Sequence, residues 1–300
     1  MDQSLLVFVT VAEKRSFTRT AEELHMTQPA VSQYVQTLEK TTGAKLLDRS
    51  NKYVRLTKAG EIVYHHAKEI LGLYTRMDAL VADLMQVASG PISIGSSFTF
   101  GEYVLPHVIA DMLAEYPLIE PTIMIGNTAD IGGALLAHQL DIGIIEGDYS
   151  HDKLRVTPFA EDVMDLIVSA NHPFAAAAPD FSVSLADMAP ETWIVRERGS
   201  GTREAADRWF ESFGFVPRNM MSFGSTQLIK ESVEAGLGVT LLSRLSVRKE
   251  LQLGTLRAVN AAGTPVKRKF SLVTHASPYH TKATQVFIAC LQNGHWGRLS

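Results

Sequence analysis

At 300 residues the chain is too long for one small domain and calls for two or three compact units. Its 46% hydrophobic and 20% charged residues, the lack of any apolar run near the ~18 to 20 residues of a membrane span, and an N-terminal MDQSLLVFVTVAEKRSF without signal-peptide regions lead to the expectation of a cytoplasmic protein with no membrane partner; the one cysteine, Cys290, excludes an internal disulfide and a cysteine-based zinc site. Residues 1–60 hold nine Lys/Arg against six Asp/Glu (+3) and the other 240 hold 19 against 26 (−7), a basic head on an acidic body that points any polyanion to the head.

Leu5, Leu6, Phe8, Val9 and Ala12 recur at helical spacing and predict an amphipathic first helix. Ser16 or Thr18 can cap a second helix running through Leu24. After a tight turn at His25-Met26, Thr27 can cap a third, with Pro29 tolerated in its first turn because the N–H it lacks would be unpaired there. Two short helices about three residues apart form a helix-turn-helix. In the third helix Val31, Val35 and Leu38 face a core, and Gln28, Pro29, Ser32, Gln33 and Gln36 fall on the other side. Such a face is either merely polar or suited to reading base edges, since Gln and Ser both donate and accept. The stretch 45–57 predicts two short strands around Ser50-Asn51, a hairpin that can hold Arg49, Lys52 and Arg55 against phosphates as a wing.

The run FTRTAEELHMTQPAVSQYVQTLEKTTGAKLLDRSNKYVRLTKAG resembles the DNA-binding signature of LysR-type transcriptional regulators: TQPAVS, LE, TG, L-x-R and LTxAG fall in register over about 45 residues. The resemblance implies that Gln28, Pro29, Ser32 and Gln33 contact bases and backbone and that Arg49 and Arg55 form the wing. Thr27, Gln36 and Lys52 complete the expected DNA-binding set. Leu47 stands where the family usually has Phe, Gln36 where many members have Lys or Arg, and Ser50-Asn51 is less basic than usual. Fewer phosphate contacts are therefore expected, with a log K against log salt slope no steeper than about −6 for the dimer.

Between residues 59 and 88 there is no proline, and Val63, Ala67, Ile70, Tyr74, Met77, Val81 and Leu84 repeat at alternating spacings of 4 and 3. A period of 3.5 predicts a coiled-coil dimerisation seam; the alternative is a long helix packed on its own chain. A dimer suits an operator with two half-sites, and the resemblance implies this use of the helix, often within tetramers. The adjacent His65 and His66 point about 100° apart and cannot both ligate one metal, so they are read as solvated.

Beyond Ser89-Gly90-Pro91 strands alternate with helices. Strands are expected at 92–95, 122–125, 141–145, 165–169, 193–196, 220–223, 239–242 and 266–274, and helices at 103–116, 131–138, 203–213, 227–235 and 278–291. Helix-separated strands imply parallel sheets covered on both faces. The alternation breaks near 158–165 and 263–267, which fits two lobes joined by two crossing strands, the periplasmic-binding-protein-like plan that LysR-type effector domains share. The expected division is a winged helix-turn-helix at 1–58, a linker helix at 59–88 and an α/β effector domain at 89–300, with lobe I at 91–160 and 265–300 and lobe II at 161–264.

In such sheets ligands bind at strand carboxyl ends, beside helix N-termini. There the sequence places Ser96, Ser97, Phe98 and Thr99, then Thr128, then Ser200, Gly201 and Thr202, then Ser225 and Thr226. Each hydroxyl can cap its helix and also meet an anion. Arg196, Arg198 and Arg203 could add positive charge, at most one or two of them facing inward, and Glu146 and Asp148 could meet an amino group, so the expected effector is a small anion or an amino-acid-like metabolite. The runs SSFTFGEYVLP and RERGSGTR most resemble family members that regulate sulfur assimilation and carbon fixation, whose effectors are small or phosphorylated anions.

No enzyme signature competes. The residues before Gly199-Ser200-Gly201 do not make a G-x-S-x-G elbow, no glycine-rich phosphate loop follows the first strand, and the ten histidines show no metal-ligand spacing. No catalytic residue, metal or cofactor is therefore expected. A solute-binding protein would account for the second half but would need an export signal and no head. The expected partners are double-stranded promoter DNA, a small effector, further copies of the chain, and RNA polymerase if the regulator activates.

Overall fold

In the computed structural model, which describes residues 2–49, 53–82, 88–176, 182–276 and 280–294, helix α1 (Gln3–Lys14) begins where the Asp2 carboxylate accepts the backbone N–H of Ser4 at 2.9 Å. Helix α2 (Phe17–Glu23) starts at Ser16, whose Oγ accepts from Arg19 N, so Ser16 and not Thr18 is the cap. Helix α3 (Gln28–Thr42) starts at Thr27, carries Pro29 in its first turn and ends at Gly43 with φ +69°. Strands β1 (Leu47–Arg49) and β2 (Val54–Leu56) then pair antiparallel with Asp48 opposite Arg55. The predicted turn at Ser50-Asn51 lies outside the described residues. Val7, Phe8, Val11, Val31, Val35, Leu46 and Leu47 form the core beneath these elements.

The short motifs of this head are load points between elements. The Glu39 carboxylate is buried at the end of α3 and accepts the N–H groups of Leu46 (2.9 Å) and Leu47 (3.3 Å), which fixes where β1 begins. Thr57 Oγ1 donates to the Lys45 carbonyl and accepts from Gly60 N, capping helix α4 (Lys58–Ala82) and tying it to the hairpin. A Cβ on Gly60 would fall 2.0 Å from the Leu46 carbonyl oxygen, so only glycine lets α4 approach this closely.

Helix α4 corrects the linker reading. Ala67 is 1% exposed in the head core and Val63 packs half-buried against it. Tyr64 OH and Lys68 Nζ both donate to Glu13 of α1. The first two turns of the expected seam are therefore covered by their own chain, and Tyr74 is half-buried. Ile62, Ile70, Leu73, Met77 and Val81 are the exposed apolar residues; Leu84 lies outside the described residues. A 3.5-residue repeat specifies a continuous apolar stripe but not which partner covers each turn of it. His65 and His66 are exposed and both reach Glu69.

The chain divides into two units, Met1–Gln86 with Leu136–Gln139 and Val87–Leu135 with Leu140–Ser300. In chain order the second contains β3 (Gly90–Ser97), α5 (Phe98–Tyr103), α6 (Leu105–Glu115), β4 (Ile119–Gly126), α7 (Thr128–Leu136), β5 (Ile142–Glu146), β6 (Leu154–Ser169), a 3-10 turn (Pro173–Ala176), β7 (Ser182–Val183), α8 (Leu185–Met188), β8 (Thr192–Arg196), α9 (Gly201–Ser212), β9 (Asn219–Phe223), α10 (Thr226–Glu234), β10 (Thr240–Ser243), α11 (Arg244–Leu253), β11 (Leu256–Ala261), β12 (Val266–His275) and α12 (Lys282–Asn293). The expected helix at 103–116 is α6, preceded by the separate short α5, and α5, α8, α11, β7 and β11 have no counterpart among the expected elements.

The strands are not all parallel. β4, β3 and β5 are, and so are β8 and β9. β12 runs antiparallel to both β5 and β6, and β6 antiparallel to β10 and β11. β6 and β12 pass straight between the lobes and so lack the crossover helix that makes neighbours parallel. The two lobes have separate cores. Ile92, Ile94, Phe100, Val108, Ile142, Phe270 and Phe287 belong to one, and Met164, Leu166, Trp193, Trp209, Phe210 and Leu241 to the other. The changeover falls between Ala160 and Met164 on β6 and between Val266 and Phe270 on β12.

Candidate functional site

In the first unit α3 turns Val31, Val35 and Leu38 into the core, which leaves Gln28, Pro29, Gln33 and Gln36 exposed on the opposite face and Ser32 half-buried beside them. Thr27 is exposed while capping the helix. The face is uncharged and rich in groups that donate and accept, as direct base readout requires. On the hairpin Arg55 is exposed, with its guanidinium 4.8 Å above the Tyr53 ring. Arg49 ends β1 opposite Val54. Lys52 lies outside the described residues.

In the second unit the crossing strands carry a buried charge cluster at the changeover between lobes. Arg268 on β12 stands directly opposite Asp162 on β6. Its Nε donates to Asp162 at 2.6 Å, its Nη1 lies 2.7 Å from Glu146 at the end of β5, and its Nη2 donates to Thr99 Oγ1 at 3.0 Å. Glu146 also accepts from Ser97 Oγ, from the Thr99 N–H and from Thr202 Oγ1. Thr128 Oγ1 donates to the Glu146 carbonyl at 3.0 Å, and Ser243 Oγ donates to Asp162 at 2.6 Å. Burial opposes ionisation of Glu146, but Arg268 and the hydroxyls of Thr99 and Ser97 outweigh it and hold the carboxyl below the usual range. Burial pushes the Asp162 carboxyl up, against the pull of Arg268 and Ser243.

A second cluster lies beside it. Arg196, 2% exposed at the end of β8, donates to both carboxylate oxygens of Glu197 and to Thr226 Oγ1 at 3.1 Å, and its guanidinium sits 4.3 Å over the Phe98 ring. Asn127 Nδ2 donates to the same Glu197 at 3.3 Å. Burial works against the Glu197 charge, and the bond from Arg196 holds its carboxyl below the usual range nonetheless.

The starting turns of α7, α9 and α10 and the residues after β3 thus meet in one region. Of the expected effector residues, Ser97, Thr99, Thr128, Glu146 and Thr202 come together around Arg268, and Phe98, Arg196 and Thr226 around Glu197. Gly201 belongs with the first group, since a Cβ there would lie 2.0 Å from the Glu146 carbonyl oxygen. Ser200 and Ser225 cap α9 and α10 by accepting from Thr202 N and Leu228 N. Ser96 lies apart: it is fully buried, and its Oγ donates to the Ser97 carbonyl. Glu146 is corrected as a partner for an amino group, because Arg268 already neutralises it. Of the three arginines raised as candidates, Arg196 turns inward, Arg203 bonds Asp207 and the Arg196 carbonyl, and Arg198 is exposed. Asp148 pairs with Arg208.

Sequence reasoning missed Arg268 and Asp162. Their signal was the two-residue alternation of the crossing strands, which puts 162, 164 and 166 and then 268, 270 and 272 inward, so each charge occupies a core position. A cavity of about 550 Å³ opens on the region, lined by Thr128, Ser200, Arg198, Arg203, Asp148 and Tyr149 among others. Among the described residues no group of His, Cys, Asp and Glu is placed to hold a metal ion, and no helix is long and apolar enough to cross a membrane.

Residues 3–61 match the family model "Bacterial regulatory helix-turn-helix protein, lysR family", and residues 86–296 match "LysR substrate binding domain". HTH-type transcriptional regulator CysL of Bacillus subtilis (strain 168) is 35% identical over 295 residues, covering 98% of both chains. The RuBisCO operon transcriptional regulator of Acidithiobacillus ferrooxidans is 32% identical over 287 residues, covering 96% of this chain and 92% of its own. Full-length CbnR in complex with its target DNA shares the fold at a TM-score of 0.72 and 20% identity, with 100% of both chains covered. The CcmR regulatory domain of Synechocystis PCC6803 with 2-PG shares it at 0.61 and 23%, covering 68% of this chain and 96% of that one. The winged head and two-lobed α/β domain, together with these matches along nearly the whole chain, make the protein a LysR-type transcriptional regulator, akin to CysL and to regulators of RuBisCO operons.

Proposed function

We propose that this regulator reads promoter DNA with Gln28, Pro29, Ser32, Gln33 and Gln36 of α3, is positioned by Thr27, Arg49, Lys52 and Arg55, and responds to a small anionic or amino-acid-like metabolite between the lobes of its C-terminal domain. The observation that carries the effector reading is the meeting of the α7, α9 and α10 starting turns beside a cavity of about 550 Å³ rimmed by Arg198 and Arg203. Thr128, Ser200, Arg198, Arg203 and Arg208 line the cavity together with Asp148, Glu204, Asp207 and Glu211, and of the three arginines Arg198 alone makes no ion pair among the described residues, so a ligand carrying both an anionic and an amino group fits as well as a simple anion. The domain plan is a head at 1–58, a linker at 59–88, lobe I at 91–160 with 265–300, and lobe II at 161–264. The CcmR domain with 2-PG and CbnR with its target DNA support this reading by their shared fold.

The chain acts without catalysis or cofactor, in the cytoplasm, as a dimer that can pair into tetramers. Exposed apolar residues support self-association: Ile70, Leu73, Met77 and Val81 on α4, and Ile123, Met124, Met220 and Met221 on strands β4 and β9. RNA polymerase is the further partner if the regulator activates. Ligand binding changes the lobe angle and thereby the spacing of the DNA-binding heads, to the extent that its affinity differs between the two states. A thermal-shift panel of sulfate, sulfite, acetylserine and phosphoglycolate tests this, because a binder at 100 times its Kd stabilises by ~2.7 kcal/mol. The binder is expected to alter the DNase footprint on a promoter fragment; an unchanged footprint and bend would refute the mechanism.

A further inference from the structure

On the far side of the Arg208–Asp148 ion pair from the cavity just described lies another, of about 680 Å³, between α9 and the start of β12. We propose that it is a second ligand site, for a small amphipathic anion with an aromatic or branched apolar body.

Its apolar wall is built from Trp209 and Phe213, whose rings lie 5.8 Å apart. The indole N–H of Trp209 already donates to the Ala262 carbonyl at 3.0 Å, so what it offers the cavity is ring surface. Phe213 remains 41% exposed, so its ring is open to a ligand in the cavity. Gly263 closes the wall: its φ is +74°, and a Cβ there would lie 2.3 Å from the Phe213 ring, so the turn can seat against the ring only as glycine.

The opposite wall is cationic. Lys267 and Lys269 are both exposed and, two residues apart on β12, share one face of the strand. Lys267 meets Glu161 at only 3.5 Å in an exposed pair of little strength, and Lys269 makes no ion pair among the described residues. Arg208 also lines the cavity but is already paired with Asp148 and Glu204, so the two lysines are the cations left for a ligand. The volume suits a small metabolite, with an aromatic floor for its body and two lysines for a carboxylate or phosphate. The site also touches the hinge of the domain. Arg268 lines it while bonding Thr99 and Thr202 on opposite lobes, and Arg208 and Asp148 line both cavities. Occupancy here therefore changes affinity at the first cavity, and by the same factor in return.

Calorimetric titration of the full-length protein with phenyl phosphate tests the proposal, with inorganic phosphate and phenol as the two halves of the probe. Phenyl phosphate is expected to bind at least tenfold more tightly than either half. The double variant Lys267→Gln/Lys269→Gln and, separately, Phe213→Ala should each weaken it by about tenfold, and both alter exposed side chains, so far-UV circular dichroism should stay unchanged. Arg198→Gln, which lines only the first cavity, should leave it intact. Absence of binding at millimolar probe, equal binding of inorganic phosphate, or a loss caused by Arg198→Gln in place of the lysine variant would overturn it.

Discussion

Glu146 keeps its charge where water does not reach, and Arg268 is the reason. Removing Arg268 strands two carboxylates in the space between the lobes, and Arg268→Met is expected to cost about 3–5 kcal/mol in urea denaturation. The two carboxylates are not equivalent. Burial pushes the Asp162 carboxyl up while that of Glu146 is held down, so Asp162→Asn should cost less at neutral pH than Glu146→Gln, which loses charge-assisted bonds to Arg268, Ser97 and Thr99 and should cost about 2–4 kcal/mol. The sign of the pH dependence follows. A carboxyl held below its unfolded value stabilises the fold above that value and loses this contribution as pH falls through the lowered one. Urea midpoints of wild type and Glu146→Gln should thus differ at pH 7 and converge below about pH 4. None of this was legible residue by residue, since an arginine in a Lys-Arg-Lys run is ordinarily solvated; only the strand's alternation marks Arg268 as inward.

At the scale of elements, α3 was readable because its determinants are local. Thr27, Pro29 and Gly43 fix its ends, and the Val31, Val35 and Leu38 spacing fixes its buried side. Its exposed side and the hairpin make separable predictions. Gln33→Ala should lose about 1–3 kcal/mol of discrimination between operator and mutated half-site. Arg55→Gln should weaken binding to all duplexes alike and flatten the salt slope by about 1 per dimer half. Gel-shift titrations at several salt concentrations, with operator and scrambled DNA, separate the two. The hydroxyls at strand ends were harder to read. Ser200 and Ser225 cap, Thr128 and Thr202 meet Glu146, and sequence alone gives all four the same appearance.

At the scale of the molecule, the exposed stripe of α4 predicts assembly. Leu73→Glu with Met77→Glu should shift the protein toward monomer in sedimentation equilibrium and lower operator affinity, because a two-fold site then meets one head at a time. Val63→Ala and Ala67→Gly should act instead on head stability, since the head core covers both.

The sequence by itself determined the head, the polar outer face of α3, the long helix after the hairpin and the two-lobed plan, because caps, turn glycines and apolar periods act over a few residues. Only the tertiary structure decided which turns of α4 its own chain covers, that the crossing strands run antiparallel to their neighbours, and that Arg268 joins Glu146 and Asp162 between the lobes. Those outcomes depend on residues 50 or more positions apart becoming neighbours, and short-range pattern carries no record of such pairings.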